Sequence, residues 1–110
     1  MRDTEQHTVY ETTCQQCVAD LYRTAYLALV DSAVAERIVT DTCVGGIHKY
    51  GNSRDPIEIR YNLLSDLVRR CRRCREFSVA TGASVPEPYR ALSAEQRLAL
   101  AARTLFGYEI

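Results

Sequence analysis

The chain has 110 residues, room for one hydrophobic core but not for two comfortable domains. With 46% hydrophobic and 25% charged residues its composition is that of a folded domain and excludes wholesale disorder. Fourteen basic residues balance fourteen acidic ones, and a net charge of zero argues against a generic nucleic-acid coat, which depends on an excess of Lys and Arg.

No apolar run reaches the roughly 18 residues that a membrane-spanning helix needs. The opening Met1-Arg2-Asp3-Thr4-Glu5 lacks the pattern of a signal peptide. The expected location is therefore the cytoplasm, with no membrane partner. The five cysteines, an odd count, are expected to stay reduced there.

A first helix is expected from about Val9 to Val30, because Cys14, Cys17, Leu21, Ala25 and Ala28 repeat at three- and four-residue spacing. Asp31 is suited to cap a second helix that carries Ala35, Ile38, Val39 and either Thr42 or Cys43 on its inner face. Gly45-Gly46 should weaken its last turns, by about 1 kcal/mol per glycine relative to alanine. Gly51-Asn52-Ser53-Arg54 reads as a loop.

Asp55-Pro56-Ile57-Glu58 is the sharpest local signal: Asp55 caps, Pro56 fits the first helical position, and Glu58 stands where a capping box wants it. The helix it opens should run to about Glu76 with Leu64, Leu67, Cys71 and Cys74 inward. Residues 78–91, with Gly82, Pro86 and Pro88, read as a linker. Ser93-Ala94-Glu95-Gln96 is a second capping box, opening a helix through about Phe106 with Leu98, Ala101, Ala102 and Leu105 on one face. No segment alternates with period two, so strands are not expected. The expected fold is all-α: a three-helix bundle over residues 1–77, the linker, and a separate C-terminal helical segment over 92–110.

Two C-x-x-C pairs, Cys14/Cys17 and Cys71/Cys74, raise the possibility of a tetrahedral zinc site in a small helical protein. Their separation far exceeds that of compact zinc ribbons. In an up-down-up bundle the two pairs would also lie at opposite ends, roughly 20 Å or more apart at 1.5 Å per residue. Buried core packing is the expected role of these cysteines, and no cofactor is expected. Catalytic signals are thin as well. His7 and His48 have no evident partner, and Asp41 with Gly45-Gly46 does not make a phosphate loop. The acidic residues Asp20, Glu36, Asp41 and Asp66 are dispersed over predicted helix faces. No enzyme activity is expected. The arginines at 69, 70, 72, 73 and 75 form one dense block, suited to a solvated face, to a helix C-terminus, or to phosphate.

Read in order, Leu21-Tyr22-Arg23-Thr24-Ala25-Tyr26, then Asp31 with Ala35-Glu36-Arg37-Ile38-Val39-Thr40-Asp41-Thr42-Cys43-Val44, resemble region 2 of the small, extracytoplasmic-function-like sigma-70 type RNA polymerase sigma factors. Asn62-Leu63-Leu64-Ser65-Asp66-Leu67-Val68-Arg69-Arg70 is similar to the third helix of that region. Leu92-Ser93-Ala94-Glu95-Gln96-Arg97-Leu98-Ala99-Leu100, with Gly107-Tyr108-Glu109-Ile110, is similar to the opening of region 4. The resemblance spans roughly residues 20–110.

It implies a transcription protein whose second helix docks on the coiled coil of the largest subunit of the polymerase core, a role falling by position to Glu36, Thr40 and Asp41. It implies that the third helix meets the melted −10 promoter strand through Asn62, Asp66, Arg69 and Arg70, with Arg73 continuing the block and Tyr61 a stacking side chain. An anti-sigma factor would be a further partner. The chain departs from the family in two places. Arg37 stands where an aspartate is usual, and Gly45-Gly46-Ile47 replaces an arginine, an alanine and a tryptophan. Region 4 also requires a helix-turn-helix beyond this point to read the −35 element. The expectation is thus a truncated or divergent factor, or a protein-interaction module that keeps the sigma fold without promoter recognition.

Overall fold

A computed structural model describes residues 8–79, 85, 87 and 89–107. All regular structure among them is helical, in five α-helices with no strand: α1 Thr8–Leu29, α2 Ser32–Tyr50, α3 Pro56–Arg73, α4 Arg75–Val79 and α5 Ala94–Ala101. A 3₁₀ turn over Tyr89–Ala91 precedes α5, and a π-turn over Ala102–Phe106 continues it. The all-α expectation holds. No helix is long and apolar enough to cross a membrane, among the described residues.

The helix starts are set by their caps. Asp31 accepts a hydrogen bond from the Val34 amide (3.0 Å) and opens α2. Asp55 accepts from the amides of Ile57 (3.0 Å) and Glu58 (3.4 Å) and opens α3, with Pro56 in the first turn where its missing N–H is harmless. The expected reciprocal bond from Glu58 does not form, because the Asp55 amide donates to Ser53 Oγ instead (3.3 Å). At Ser93 the capping box is complete, with Gln96 as its second member.

The α1–α2 connection is abrupt. Val30 adopts φ +53°, a left-handed conformation that a β-branched side chain enters only under compulsion. Its amide closes α1 on the Tyr26 carbonyl (2.7 Å), and its side chain packs on the cluster of Leu27, Val85 and Ala101. That packing offsets the backbone strain.

α1 is the common wall of the core, and α2, α3 and α5 all pack on it. Cys17, Leu21, Ala25 and Ala28 of α1, Ala35 of α2, and Ile59, Leu63, Leu67 and Cys71 of α3 have no exposed surface. Leu98, Ala102 and Phe106 belong to the same apolar cluster. The C-terminal segment is therefore not a separate unit hanging from a linker; it closes the bundle. Thr13, Thr24 and Thr42 are buried as well, each hydroxyl donating to the carbonyl four residues back at 2.7–2.8 Å.

Two other expectations shift. α2 runs through both glycines to Tyr50, because Gly46 is a point of close approach. A Cβ there would lie 3.2 Å from Leu63 Cδ2 and collide with the Tyr10 hydroxyl, which donates to the Cys43 carbonyl. α3 stops at Arg73, not at Glu76, where Cys74 turns to an extended ψ of 140° before α4 begins. Within the expected linker, Val85 is buried; residues 80–84, 86 and 88 lie outside the described residues, as do residues 1–7 with His7 and residues 108–110 of the Gly107–Ile110 match.

Candidate functional site

α2 and α3 run antiparallel, as their facing residues show: Tyr50 meets Asp66, Gly45 lies beside Arg70, and Arg37 reaches Cys74. On α3, Asn62, Asp66, Arg70 and Arg73 recur every three or four residues, a stripe of about 16 Å along the seam with α2. Arg69 flanks it, and Arg37 and Lys49 border it from α2.

The stripe is organised from below by Asp66. Only 3% exposed, its carboxylate accepts from the Tyr50 hydroxyl (2.9 Å) and lies against Lys49 Nζ (3.5 Å) and an Arg69 guanidinium nitrogen (2.9 Å). A carboxylate so enclosed presents nothing to a ligand. Asp66, expected with its neighbours to meet the promoter strand, instead positions Lys49, Tyr50 and Arg69 here. Burial, and next the Asp66 carboxylate, raise the Tyr50 phenol above its ordinary range.

The arginine block divides by partner. Arg69 is held by Asp66, and Arg72 points to the other side of α3, where it forks onto Glu95 of α5 at 3.1 and 3.2 Å through Nε. That bond raises the Arg72 pKa against the opposing effect of burial. Arg70 and Arg73 make no ion pair among the described residues, and neither does Arg37, whose side chain reaches the Cys74 thiol. Arg70 is half-buried over Gly45, where a Cβ would come within 3.0 Å of its terminal nitrogen. Three guanidiniums that make no ion pair among the described residues thus border the α2–α3 seam. Tyr61 is 52% exposed one position from the stripe, and Asn62 is half-buried within it.

The residues expected to dock on a polymerase subunit are all exposed, but they do not share one face. Glu36 and Thr40 are one turn apart on the outer side of α2, and Asp41 lies about 100° around, toward α3.

The paired cysteines do not converge. No group of three or more potential ligands able to hold a metal exists among the described residues. Cys17 and Cys71 are buried core residues, as expected, but Cys14 and Cys74 are only half-buried. Sequence reasoning overlooked Arg37 as part of the cationic border of the seam, although its arginine, where the resembled family usually carries an aspartate, was the available signal. It also overlooked the burial of Arg97, for which the sequence holds no signal. Compared with protein-family models, with curated proteins and with solved structures, the chain has no match.

Proposed function

We propose that this chain is a sigma-factor-like transcription protein that holds a single strand of promoter DNA along the α2–α3 seam and meets RNA polymerase core through the exposed side of α2. The observation that carries the DNA half is that Arg37, Arg70 and Arg73, which border the α2–α3 seam, make no ion pair among the described residues in a chain of zero net charge. Guanidiniums suit phosphate, and Tyr61 offers a nearby surface for base stacking. Glu36, Thr40 and Asp41 are the residues assigned to polymerase.

The test is fluorescence anisotropy with a labelled −10-like single strand over a salt series. Replacing Arg37, Arg70 and Arg73 together by alanine should flatten the log–log salt slope by about 2, at roughly 0.7 for each single-strand phosphate that is no longer neutralised. An unchanged slope, or no binding by the unaltered protein even at low salt, rejects this half. Pull-down of polymerase core, abolished by Glu36→Lys with Asp41→Lys, tests the other.

A second reading, a protein-interaction module that keeps a sigma-like fold, is favoured by one observation. The segment resembling the start of region 4 is built into the core through Leu98, Ala102 and Phe106 and is not free to seek a −35 element. Capture of a partner other than polymerase, with the three arginines dispensable, would decide for it.

A further inference from the structure

Between α1 and α2 lies an apolar groove of about 280 Å³. Val44 and Ile47 form its outer wall, 58% and 38% exposed, and Tyr10, Cys14 and Cys43 line it. Cys14 and Cys43 come from different helices, 29 positions apart in sequence, and both are half-buried free thiols lining this one groove, close enough for each to shift the titration of the other. The Tyr10 hydroxyl stands beside them, within reach of Cys14 as well as of the Cys43 carbonyl.

We propose that Cys14 and Cys43 are a peroxide-reactive dithiol, in which Cys14 attacks the oxidant at the groove and Cys43 resolves the product into a disulfide that ties α1 to α2. The Cys14 thiolate displaces an alcohol or water from a hydroperoxide: the O–O bond breaks, an S–O bond forms, and the leaving oxygen takes up a proton. Cys43 then attacks the sulfenic sulfur; the S–O bond breaks, the S–S bond forms, and the Cys43 proton leaves with the hydroxide as water. Two thiols and one peroxide give one disulfide, one alcohol or water, and one further water.

The division of roles follows from the surroundings. The Cys43 thiol donates to Cys14 and so favours a thiolate there, assisted by Tyr10 against the opposing effect of burial. The outcome is a Cys14 pKa lowered to about 7, and the same bond holds the Cys43 proton in place. Burial pushes the other core thiols the opposite way, Cys17 to about 11 and Cys71 to about 12, and it raises Cys74 as well. Both thiols line the same groove, so the bridge forms between neighbours across the α1–α2 packing.

The experiment uses the full chain, reduced and freed of reductant, then treated with hydrogen peroxide at neutral pH. The expected product is lighter by two hydrogens and, after trypsin, joins the peptide of residues 3–23 to that of residues 38–49 through Cys14, as fragmentation distinguishes it from Cys17. In Cys43→Ser the reaction should stop at a sulfenic acid on Cys14 that dimedone traps. In the unaltered folded protein, iodoacetamide should modify Cys14 about ten-fold faster than Cys74, in line with its greater thiolate fraction. A bridge through Cys17, oxidation spread evenly over the five thiols, or equal alkylation rates would each overturn the proposal; the alkylation measurement needs no variant, so a misfolded Cys43→Ser leaves it decisive.

Discussion

The guanidinium of Arg97 is 1% exposed and donates from Nε to the backbone carbonyl of Leu27, seventy residues earlier in the chain. Its other nitrogens reach the carbonyls of Ala28 (3.5 Å) and Leu92 (2.6 Å). Leu27 and Ala28 stand in the last turn of α1, whose carbonyls have no partner within the helix. One side chain from α5 thus caps the C-terminus of α1, with a cation at the negative end of the helix dipole. Burial lowers the Arg97 pKa, and no carboxylate is needed because the three carbonyls together take the charge.

Arg97→Ala should therefore lower stability by about 3 kcal/mol, since it leaves buried acceptors unmatched at roughly 1–3 kcal/mol each. Arg97→Lys should recover only part of this, because an ammonium is a point donor and not a planar fork. Urea denaturation followed by circular dichroism measures both. Equal midpoints for Arg97→Ala and the unaltered chain would exclude the capping role.

Arg72 and Glu95 connect α3 to the same helix, yet their side chains are 43% and 52% exposed. Solvent screens such a pair, so Arg72→Ala should change stability by no more than about 0.5 kcal/mol. The contrast with Arg97→Ala in one set of denaturation curves separates the buried cap from the surface bridge.

Gly46→Ala should destabilise the bundle by about 1–3 kcal/mol, the usual penalty of overpacking. The new methyl meets the Tyr10 hydroxyl from α1 and Leu63 from α3 at once, so no single side-chain rotation relieves it. Coupling to Tyr10 can be read from the double variant: Gly46→Ala with Tyr10→Phe should be less damaging than the sum of the two. Strict additivity would show that the hydroxyl is not the obstacle.

Asp66→Asn keeps an acceptor for Tyr50 but removes the charge that holds Lys49 and Arg69. Stability should fall by about 1–3 kcal/mol, as for a buried charged hydrogen-bond network deprived of one partner. Binding of a single-stranded oligonucleotide should persist or tighten, because a negative charge beneath the cationic stripe is gone. Complete loss of binding by a folded Asp66→Asn protein would instead mean that the carboxylate itself touches the nucleic acid.

The chain should lose stability in alkali. Burial raises the Cys17 and Cys71 thiols to about 11 and 12 from an ordinary 9.0, and it raises the Tyr10 phenol too. Above pH 9 an unfolded chain releases the two thiol protons while the folded one keeps them, so the unfolded state binds fewer protons and stability falls as pH rises, by about 1.4 kcal/mol per pH unit for each such thiol. Cys14 acts with the opposite sign between about 7 and 9, where only the folded state has released its proton. Urea midpoints should thus rise slightly toward pH 9 and then drop steeply; a flat profile would contradict the burial of these groups.

The sequence by itself determined the all-α class and the position of each principal helix, because these follow from local rules. Asp31, Asp55 and Ser93 cap whatever follows them, and the three- and four-residue spacing of Cys17, Leu21, Ala25 and Ala28 selects one buried face. Only the tertiary structure decided matters that depend on a neighbouring helix. Gly46 looked like a weak turn and is a point of close approach, since its meaning lies in Tyr10 and Leu63. Asp66 looked like a surface charge and nothing in the sequence marked Arg97, yet both are buried, because their partners lie 16 and 70 residues away. The Cys14 and Cys43 thiols, separated by a complete helix turn-around, meet for the same reason: helical period tells which way a side chain points, but not what stands opposite.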